Sequence, residues 1–460
     1  MIGKRAVTAV LTVIVAGYLA IGALYALKTP DWQSPDEPAH YNYAAQVAQG
    51  GCCPILQPGD WNAAQLDQLK AAGFPPGSDV SHIRYEDHQP PLFYLIAALV
   101  FNLSHGSLLA IRLLSLVIGA GVIVAVYLAL ARLMPDRKII ALAGAAFVAF
   151  LPEYIAIAAS ANNDSLSILV VSVLAVVAMT YLGNPVRRDH RNAVQPLDES
   201  QRPHAAALGG LTGLAFLTKL TVYLPAVIIV AVAVLLRWRS ERRSLGWLAG
   251  QIAWSAGLAL ALGLPWWARD VSVYGWPDFA GLGRHDAVVV GQPRTADLVS
   301  RGLGEYLGEY VTTVYHSSIG QFGWMGVPMP DKFYLGVGLF LLASLAGLIL
   351  LIARRIPLAP ELPQRAGMWV LAGLILASLA GLIEYNLTFV QFQGRYLFPM
   401  LTPLGGLVAA GLYGWSSSLG AWLKNERIAR WLGWLPLILL IWMPALALYA
   451  LYKFIIPNLK

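Results

Sequence analysis

The sequence predicts an all-α polytopic membrane protein, and three observations carry that reading. Of the 460 residues, 57% are hydrophobic and only 12% are charged, with a mean hydropathy of +0.60. An ordinary soluble domain carries about 25% charged residues, so a chain this apolar turns its excess toward lipid. The apolar residues fall in long runs separated by short basic clusters, the pattern of spans joined by cytoplasmic loops. Two polar stretches, residues 29–89 and 268–332, interrupt the runs and read as extracytoplasmic loops. Residues 1–460 therefore form a single transmembrane domain that carries both loops.

The first run, Ala6 to Leu27, follows Lys4 and Arg5. It is longer than a signal-peptide core and matches the ~20 residues needed to span hydrocarbon. The basic start puts the N-terminus in the cytoplasm. The first loop then carries helical patterns near Ala39–Gln49 and Asn62–Ala72, punctuated by Gly50-Gly51, Pro58-Gly59 and Pro75-Pro76-Gly77. Further runs follow at 91–104, 108–131, 139–158, 166–182, 205–217, 221–236, 245–267, 333–353, 367–383, 397–415 and 431–452.

The basic clusters Arg132/Arg137/Lys138, Arg187/Arg188/Arg191, Arg237/Arg239/Arg242/Arg243, Arg354/Arg355/Arg365 and Lys424/Arg427/Arg430 belong on the cytoplasmic side. If every run crosses, the first of these clusters falls outside. One of the runs 91–104 and 108–131 must therefore fall short, and the shorter is the suspect. The expected count is 11–13 spans. In the second loop Val299, Leu303, Tyr306, Leu307, Tyr310, Val311 and Val314 recur at helical spacing. They predict a short helix lying on the membrane surface or packed on the loop's own core.

The net charge of +7 is spread over these clusters and gives no nucleic-acid signature. Cys52 and Cys53 are adjacent and offer no CxxC zinc ligands. They read as two incidental thiols, with a vicinal disulfide as the alternative on an oxidising face.

The densest chemistry lies in Ser34-Pro35-Asp36-Glu37-Pro38-Ala39-His40, just outside the first span. If the turn is helical, Asp36 and His40 share a face and can bind a divalent cation or act as a general base. Ser34-x-x-Glu37 also reads as a capping box with Pro35 at the first helical position, which accounts for those three residues without function. A second group, Glu86-Asp87-His88 before Pro90-Pro91, stands where the loop re-enters the membrane. It either faces the same cavity as Asp36 or is a solvated helix entry.

Asn162-Asn163-Asp164-Ser165 opens another span. Helix capping explains it, yet chain parity puts Asp164 level with Asp36. A metal held between the two carboxylates would bind a phosphate or pyrophosphate leaving group. Lys219 and Arg395 lie at membrane depth, where charge is expensive and functional by default. The Arg395 guanidinium suits a phosphate, and snorkelling is the alternative for both cations. Arg112 and Glu153 are weaker cases of the same kind. Trp61, Trp276 and Trp324 are candidates for stacking on a sugar ring.

An acidic motif after the first span, a Pro-Pro re-entry, an Asn-Asp helix start, the buried Thr218-Lys219 and the late Gln393-Gly394-Arg395-Tyr396 occur here in order. In this the chain resembles the C-type (GT-C) membrane glycosyltransferases over residues 1–400, most closely the branch of protein O-mannosyltransferases and lipid A aminoarabinose transferases. The resemblance implies a GT-C-like helical bundle with short interfacial helices in its outer loops. It implies an inverting, polyprenyl-phosphate-sugar-dependent glycosyltransferase (EC 2.4 type) in a bacterial inner membrane, acting on the extracytoplasmic face.

By that resemblance Asp36 is the base, supported by Glu37, and Lys219 and Arg395 hold the donor phosphate. Asp164, His40, Glu86, Asp87 and His88 position the acceptor or a metal. The cofactor, if any, is a divalent cation, Mg or Mn, at Asp36 and Asp164. The implied partners are the polyprenyl-phosphate sugar, membrane lipids and a glycan, lipid or protein acceptor, with no nucleic acid. Trp266-Trp267 is followed by Ala268-Arg269-Asp270 and does not supply the Trp-Trp-Asp motif of oligosaccharyltransferases. Two other classes stay open: a secondary transporter or lipid flippase, which buried Lys219 and Arg395 would also suit, and a non-catalytic scaffold.

Overall fold

The computed structural model describes residues 3–183, 202–356, 358, 361–423 and 426–459. The cluster Arg187/Arg188/Arg191 and Lys424 lie outside the described residues. The first span is α1 (Lys4–Lys28), and the first loop holds α2 (Glu37–Gly50) and α3 (Ala63–Ala71), close to the two expected helical patterns. Then come α4 (Leu92–Leu103), α5 (Leu108–Leu133), α6 (Lys138–Ala149), α7 (Pro152–Ala158), α8 (Asp164–Gly183), α9 (Arg202–Phe216), α10 (Tyr223–Ser240) and α11 (Leu245–Tyr274). The second loop holds α12 (Leu282–Val288), α13 (Thr295–Val299), α14 (Leu303–Ile319) and an antiparallel hairpin of β1 (Gln321–Phe322) and β2 (Val327–Pro328). The bundle closes with α15 (Asp331–Ala353), α16 (Leu362–Tyr385), α17 (Leu401–Leu423), α18 (Glu426–Leu432), α19 (Leu435–Ile438), α20 (Trp442–Ala450) and α21 (Ile456–Asn458).

Among the described residues nine helical segments are long and apolar enough to cross a membrane, or ten if the bent pair α6–α7 is one span. This is fewer than the 11–13 expected, and α4 and α9 account for the difference. Helix α4 has 12 residues, so at ~1.5 Å per residue it falls short of the ~30 Å hydrocarbon core. Helix α9 has 15 described residues and runs from beside the undescribed residues 184–201 to Lys219, which pairs with Asp164 at the head of α8. Helix α4 also keeps both ends near the first loop. Leu92 N–H donates to the Leu217 carbonyl at 2.9 Å, and beyond its far end the Tyr41 hydroxyl donates to the Gly106 carbonyl at 2.6 Å.

With α4 not crossing, the parity conflict disappears. Helix α5 begins beside the end of α1, where Arg112 donates to the Ala26 carbonyl at 3.0 Å. Its 26 residues rise about 39 Å. Arg132, Arg137 and Lys138 therefore stand at the end of the bundle opposite Asp36.

The core is built around α6, whose residues Ile139 to Ala149 are all buried between α5 and α17. Other helices bury one face only. On α15, Leu335, Leu339, Leu342, Leu345, Ile349 and Ile352 are each more than half exposed and recur at helical spacing. That apolar stripe belongs against lipid chains, so this is an integral membrane protein.

Helix α14 divides the residues the sequence grouped together. Tyr306, Tyr310 and Val314 pack with Leu298, Leu382 and Phe392, while Leu303, Leu307 and Val311 stay exposed. The stripe is wider than one interface: one part packs into this cluster and the rest is left exposed. Cys52 and Cys53 form a vicinal disulfide, the alternative to the two free thiols that the sequence favoured. Nothing in the surrounding side-chain pattern announces it.

The α15–α17 seam depends on absent side chains. A Cβ at Gly411 would lie 1.9 Å from the Ser344 carbonyl oxygen, and one at Gly414 would lie 1.9 Å from that of Gly347. Close helix approach in a membrane relies on such small residues. Gly411→Leu should therefore lower the thermal midpoint of the detergent-purified protein by several degrees. Gly336→Leu, at an exposed position with open space around it, should leave it unchanged. Equal effects in a thermal-shift assay would contradict this packing.

Candidate active site

The site begins where α1 ends. Asp36 caps α2 in the left-handed region, at φ 64° and ψ −1°, a conformation that costs a non-glycine residue about 1–3 kcal/mol unless its surroundings hold it there. Glu37 supplies the hold. It is fully buried and accepts from Arg112 Nε at 2.8 Å and Nη2 at 2.6 Å. It also accepts from the backbone N–H of Trp32 and of Ala161, both at 3.1 Å.

The expected capping box is therefore not made. The N-cap is Asp36 rather than Ser34, and the Glu37 side chain turns inward. A buried guanidinium needs a paired carboxylate more than a helix start needs its side-chain cap. The geometry gives Glu37 a holding role, and Asp36 alone of the pair reaches the cluster around Arg395.

The Asp36 carboxylate accepts from the Tyr85 hydroxyl at 2.6 Å and from Arg395 Nη2. Arg395 Nη1 lies 3.6 Å from Asp164 Oδ2, and Lys219 Nζ donates to Asp164 Oδ1 at 2.6 Å. Asp36, Arg395, Asp164 and Lys219 thus form one chain of alternating charge. The guanidinium bridges the two carboxylates and takes the place where the sequence reading put a metal between Asp36 and Asp164.

Each member has a local reason for its position. Asn162 Oδ1 accepts the Asp164 N–H at 2.9 Å, so a side chain meets the first N–H of that helix while the Asp164 carboxylate reaches Lys219 and Arg395. Lys219 stands at the break between α9 and α10, just before the 3₁₀ turn Leu220–Val222. Arg395 is set by Gly394, where a Cβ would lie 2.2 Å from the Ser318 nitrogen. The Gly394 N–H donates to the Ser317 hydroxyl at 2.8 Å.

The other expected residues divide. His40 and Glu86 join Asp36, and one ligand atom from each lies within 4.8 Å of the others. The His40 Nδ1 bonds the Tyr94 hydroxyl at 2.8 Å, which leaves the other ring nitrogen for this group. Glu86 Oε2 is buried with no hydrogen-bond partner. Two hard carboxylates and an imidazole suit a divalent cation.

Asp87 points elsewhere and accepts from the Gln46 amide at 2.9 and 3.0 Å. His88 bonds the Tyr85 carbonyl at 3.1 Å and lies against His285 with ring centres 4.6 Å apart. Of the tryptophans, Trp61 and Trp324 spend their indole N–H groups on the Val290 and Trp32 carbonyls, while Trp276 is 81% exposed.

Sequence reasoning missed the bond from Tyr85 to Asp36 and the pairing of Lys219 with Asp164. It flagged Arg112 as a charge at membrane depth, which was signal enough to look for a buried partner.

Charge and burial compete in this pocket. Burial alone would raise the Asp36 carboxyl. The Arg395 charge, the neighbouring His40 and the Arg395 and Tyr85 hydrogen bonds outweigh it and hold the group well below the usual carboxylate range. Glu86 is raised by its burial, which His40, Lys219 and Gln89 offset only in part. Burial lifts Asp87 to about 7, although Gln46 offsets part of the effect. Burial likewise lowers His88 to about 4 and His285 to about 3, the latter helped by His88.

Both histidines charge below their ordinary value of 6.5 in the unfolded chain, but only below about 4 and 3 when folded. The unfolded state then binds more protons in acid, so stability is complete above pH 6.5 and falls as pH drops. The melting temperature of His285→Gln should accordingly fall less between neutral and mildly acidic pH than that of the wild type. Parallel pH profiles would contradict the assignment.

Residues 88–268 match the profile of the family described as dolichyl-phosphate-mannose-protein mannosyltransferase. That segment contains Asp164 and Lys219 but neither Asp36 nor Arg395. None of the curated proteins matches the chain.

Among solved structures, ArnT from Cupriavidus metallidurans in the apo state aligns at a TM-score of 0.53 and 16% identity, over 98% of this chain and 74% of that one. The apo oligosaccharyltransferase of Archaeoglobus fulgidus aligns at a TM-score of 0.56 and 14% identity, over 97% of this chain. The chain spans 55% of that enzyme's length. The protein therefore has the fold of the GT-C membrane glycosyltransferases and carries, in residues 88–268, the sequence pattern of the dolichyl-phosphate-mannose-protein mannosyltransferase family.

Proposed function

We propose that the chain is an inverting glycosyltransferase that moves a sugar from a polyprenyl-phosphate donor to the hydroxyl of a lipid, glycan or protein acceptor. It works on the extracytoplasmic side of a bacterial plasma membrane. The reading is carried by the buried polar atoms left without a partner around one guanidinium. Among the described residues Arg395 Nε and Nη1, Asp164 Oδ2 and Glu86 Oε2 make no hydrogen bond, and Nη1 and Oδ2 approach each other only to 3.6 Å. Leaving such groups unmet costs about 1–3 kcal/mol each, more when charged, and a ligand with anionic oxygens and hydroxyl groups meets them. A phosphate satisfies the free N–H groups of Arg395, and sugar or acceptor hydroxyls satisfy the carboxylate oxygens.

In the proposed reaction the acceptor oxygen bonds to the anomeric carbon as the bond from that carbon to the phosphate oxygen breaks. The proton passes to Asp36. The electron pair leaves on the phosphate, beside the Arg395 and Lys219 cations, where fixed positive charge stabilises it. A donor phosphate at Arg395 also competes with Asp36 for the guanidinium, freeing the carboxylate to take the proton. Asp36, His40 and Glu86 would hold a divalent cation, Mg or Mn, whose charge would help orient the substrate oxygens.

The family pattern over residues 88–268 supports a polyprenyl-phosphate donor. The gathering of Asp36, Asp164, Lys219 and Arg395 at one end of the bundle speaks against a transport path, which needs polar groups along the membrane's depth.

The test is sugar transfer by the purified protein from a radiolabelled polyprenyl-phosphate sugar. Asp36→Asn should lower kcat by about 100-fold or more, the scale of a lost general base. Arg395→Lys should raise the KM for the donor, because an ammonium cannot reproduce the planar fork. Transfer by Asp36→Asn at the wild-type rate would remove Asp36 from its role.

A further inference from the structure

The strongest feature left outside the proposed chemistry is Arg112, which is 2% exposed and contributes nothing to the Arg395 cluster. A guanidinium has five N–H donors, and here all five are used. Nε and one Nη2 hydrogen go to Glu37 at 2.8 and 2.6 Å. The second Nη2 hydrogen goes to the Pro30 carbonyl at 3.0 Å, and Nη1 goes to the Ala26 and Thr29 carbonyls at 3.0 and 2.8 Å.

These contacts join three segments to α5: the last turn of α1, the chain between Thr29 and Pro30, and the start of α2. Glu37 adds a fourth through the Ala161 N–H at 3.1 Å, three residues before Asp164. One buried side-chain pair therefore ties the Asp36 turn to the loop that delivers Asp164.

We infer that Arg112 is a positioning residue for the transfer reaction: acting through Glu37, it fixes the left-handed turn of Asp36 toward Arg395 and in register with Asp164. The catalytic part of this inference rests on the proposed function. The positional part does not. Arg112 touches none of Arg395, Asp164 or Lys219 and acts through the backbone it fastens.

Lysine at position 112 keeps the charge but has three donors for five acceptors. Part of the clamp then opens while the ion pair with Glu37 survives. Arg112→Lys is expected to lower kcat by about tenfold and to leave the KM for the donor nearly unchanged, the signature of an interaction that matters only during the reaction. A general loss of structure would instead scale activity with the folded fraction, measured in parallel by size exclusion.

Removing one partner of a buried pair can unfold a protein, whereas replacing both with apolar residues of similar volume is tolerated. Glu37→Leu with Arg112→Met therefore supplies the second background. In it the distance between the Asp36 turn and Arg395 is read without any enzyme assay. Cysteines are placed at 36 and 395, joined with a short bis-thiosulfonate reagent, and the linked peptides are quantified by mass spectrometry. The crosslinking rate should fall by about tenfold relative to the same cysteine pair with Glu37 and Arg112 intact, the scale that a lost positioning contact also has on rate.

An unchanged rate overturns the inference, as does Arg112→Lys with wild-type kcat. If the wild type transfers no sugar but crosslinking still depends on the clamp, the transferase reading fails and the positional role of Arg112 stands.

Discussion

A charge buried in protein must have a partner, and that requirement organises one end of this bundle. Two guanidinium groups, those of Arg112 and Arg395, sit almost fully buried, and each brings together segments far apart in the chain. Arg112 gathers the end of α1, the start of α2 and the loop before α8. Arg395 gathers the acidic turn and the head of α8 from the far side of the sequence, 359 residues away from Asp36. The helices supply the frame, but these ion pairs decide which helix ends meet.

The two groups differ in how fully they are satisfied, and the difference separates structure from chemistry. Arg112 spends all five donors and its carboxylate partner accepts four bonds, so the pair has nothing to offer a ligand. Arg395 bonds Asp36 through one nitrogen and leaves Nε and Nη1 unmet, facing an equally unmet oxygen of Asp164. Buried polar groups in folded proteins are almost always paired. A cluster of exceptions around one guanidinium is where a ligand completes the network. The aromatic neighbours agree with a fixed frame: Tyr43 and Tyr94 stack 3.6 Å apart, and the Tyr94 hydroxyl is hydrogen-bonded to His40 Nδ1.

Much of this was legible in the sequence because lipid and charge leave strong marks. Long apolar runs and basic clusters gave the bundle, and the patterns near Ala39–Gln49 and Asn62–Ala72 became α2 and α3. Lys219 and Arg395 could be named singly because charge at membrane depth is rarely idle, and Asp36 and Asp164 because each stands in a dense polar cluster at a helix start. Their mutual arrangement was hidden. Chain parity put Asp36 and Asp164 at one level but could not say that a guanidinium, not a cation, would lie between them.

The misreadings have the same origin. Ser34-x-x-Glu37 fits a capping box locally, and only the distant Arg112 pulls Glu37 away. Helix α4 has the composition of a span and fails on length alone. The α14 stripe reads as one face because sequence periodicity cannot separate exposed residues from neighbours facing Phe392. Asp87 follows Glu86 of the pocket and yet faces Gln46, a distinction of side-chain direction that an irregular loop does not announce.

The most direct test of the central claim is an experimental structure of the protein with a polyprenyl phosphate bound. The account predicts the phosphorus beside Arg395, with phosphate oxygens within hydrogen-bond reach of its Nε or Nη1 and of Lys219 Nζ, and the prenyl chain leaving between helices into lipid. A phosphate bound elsewhere, with the Arg395 nitrogens still unmet and the pair with Asp36 undisturbed, would contradict it.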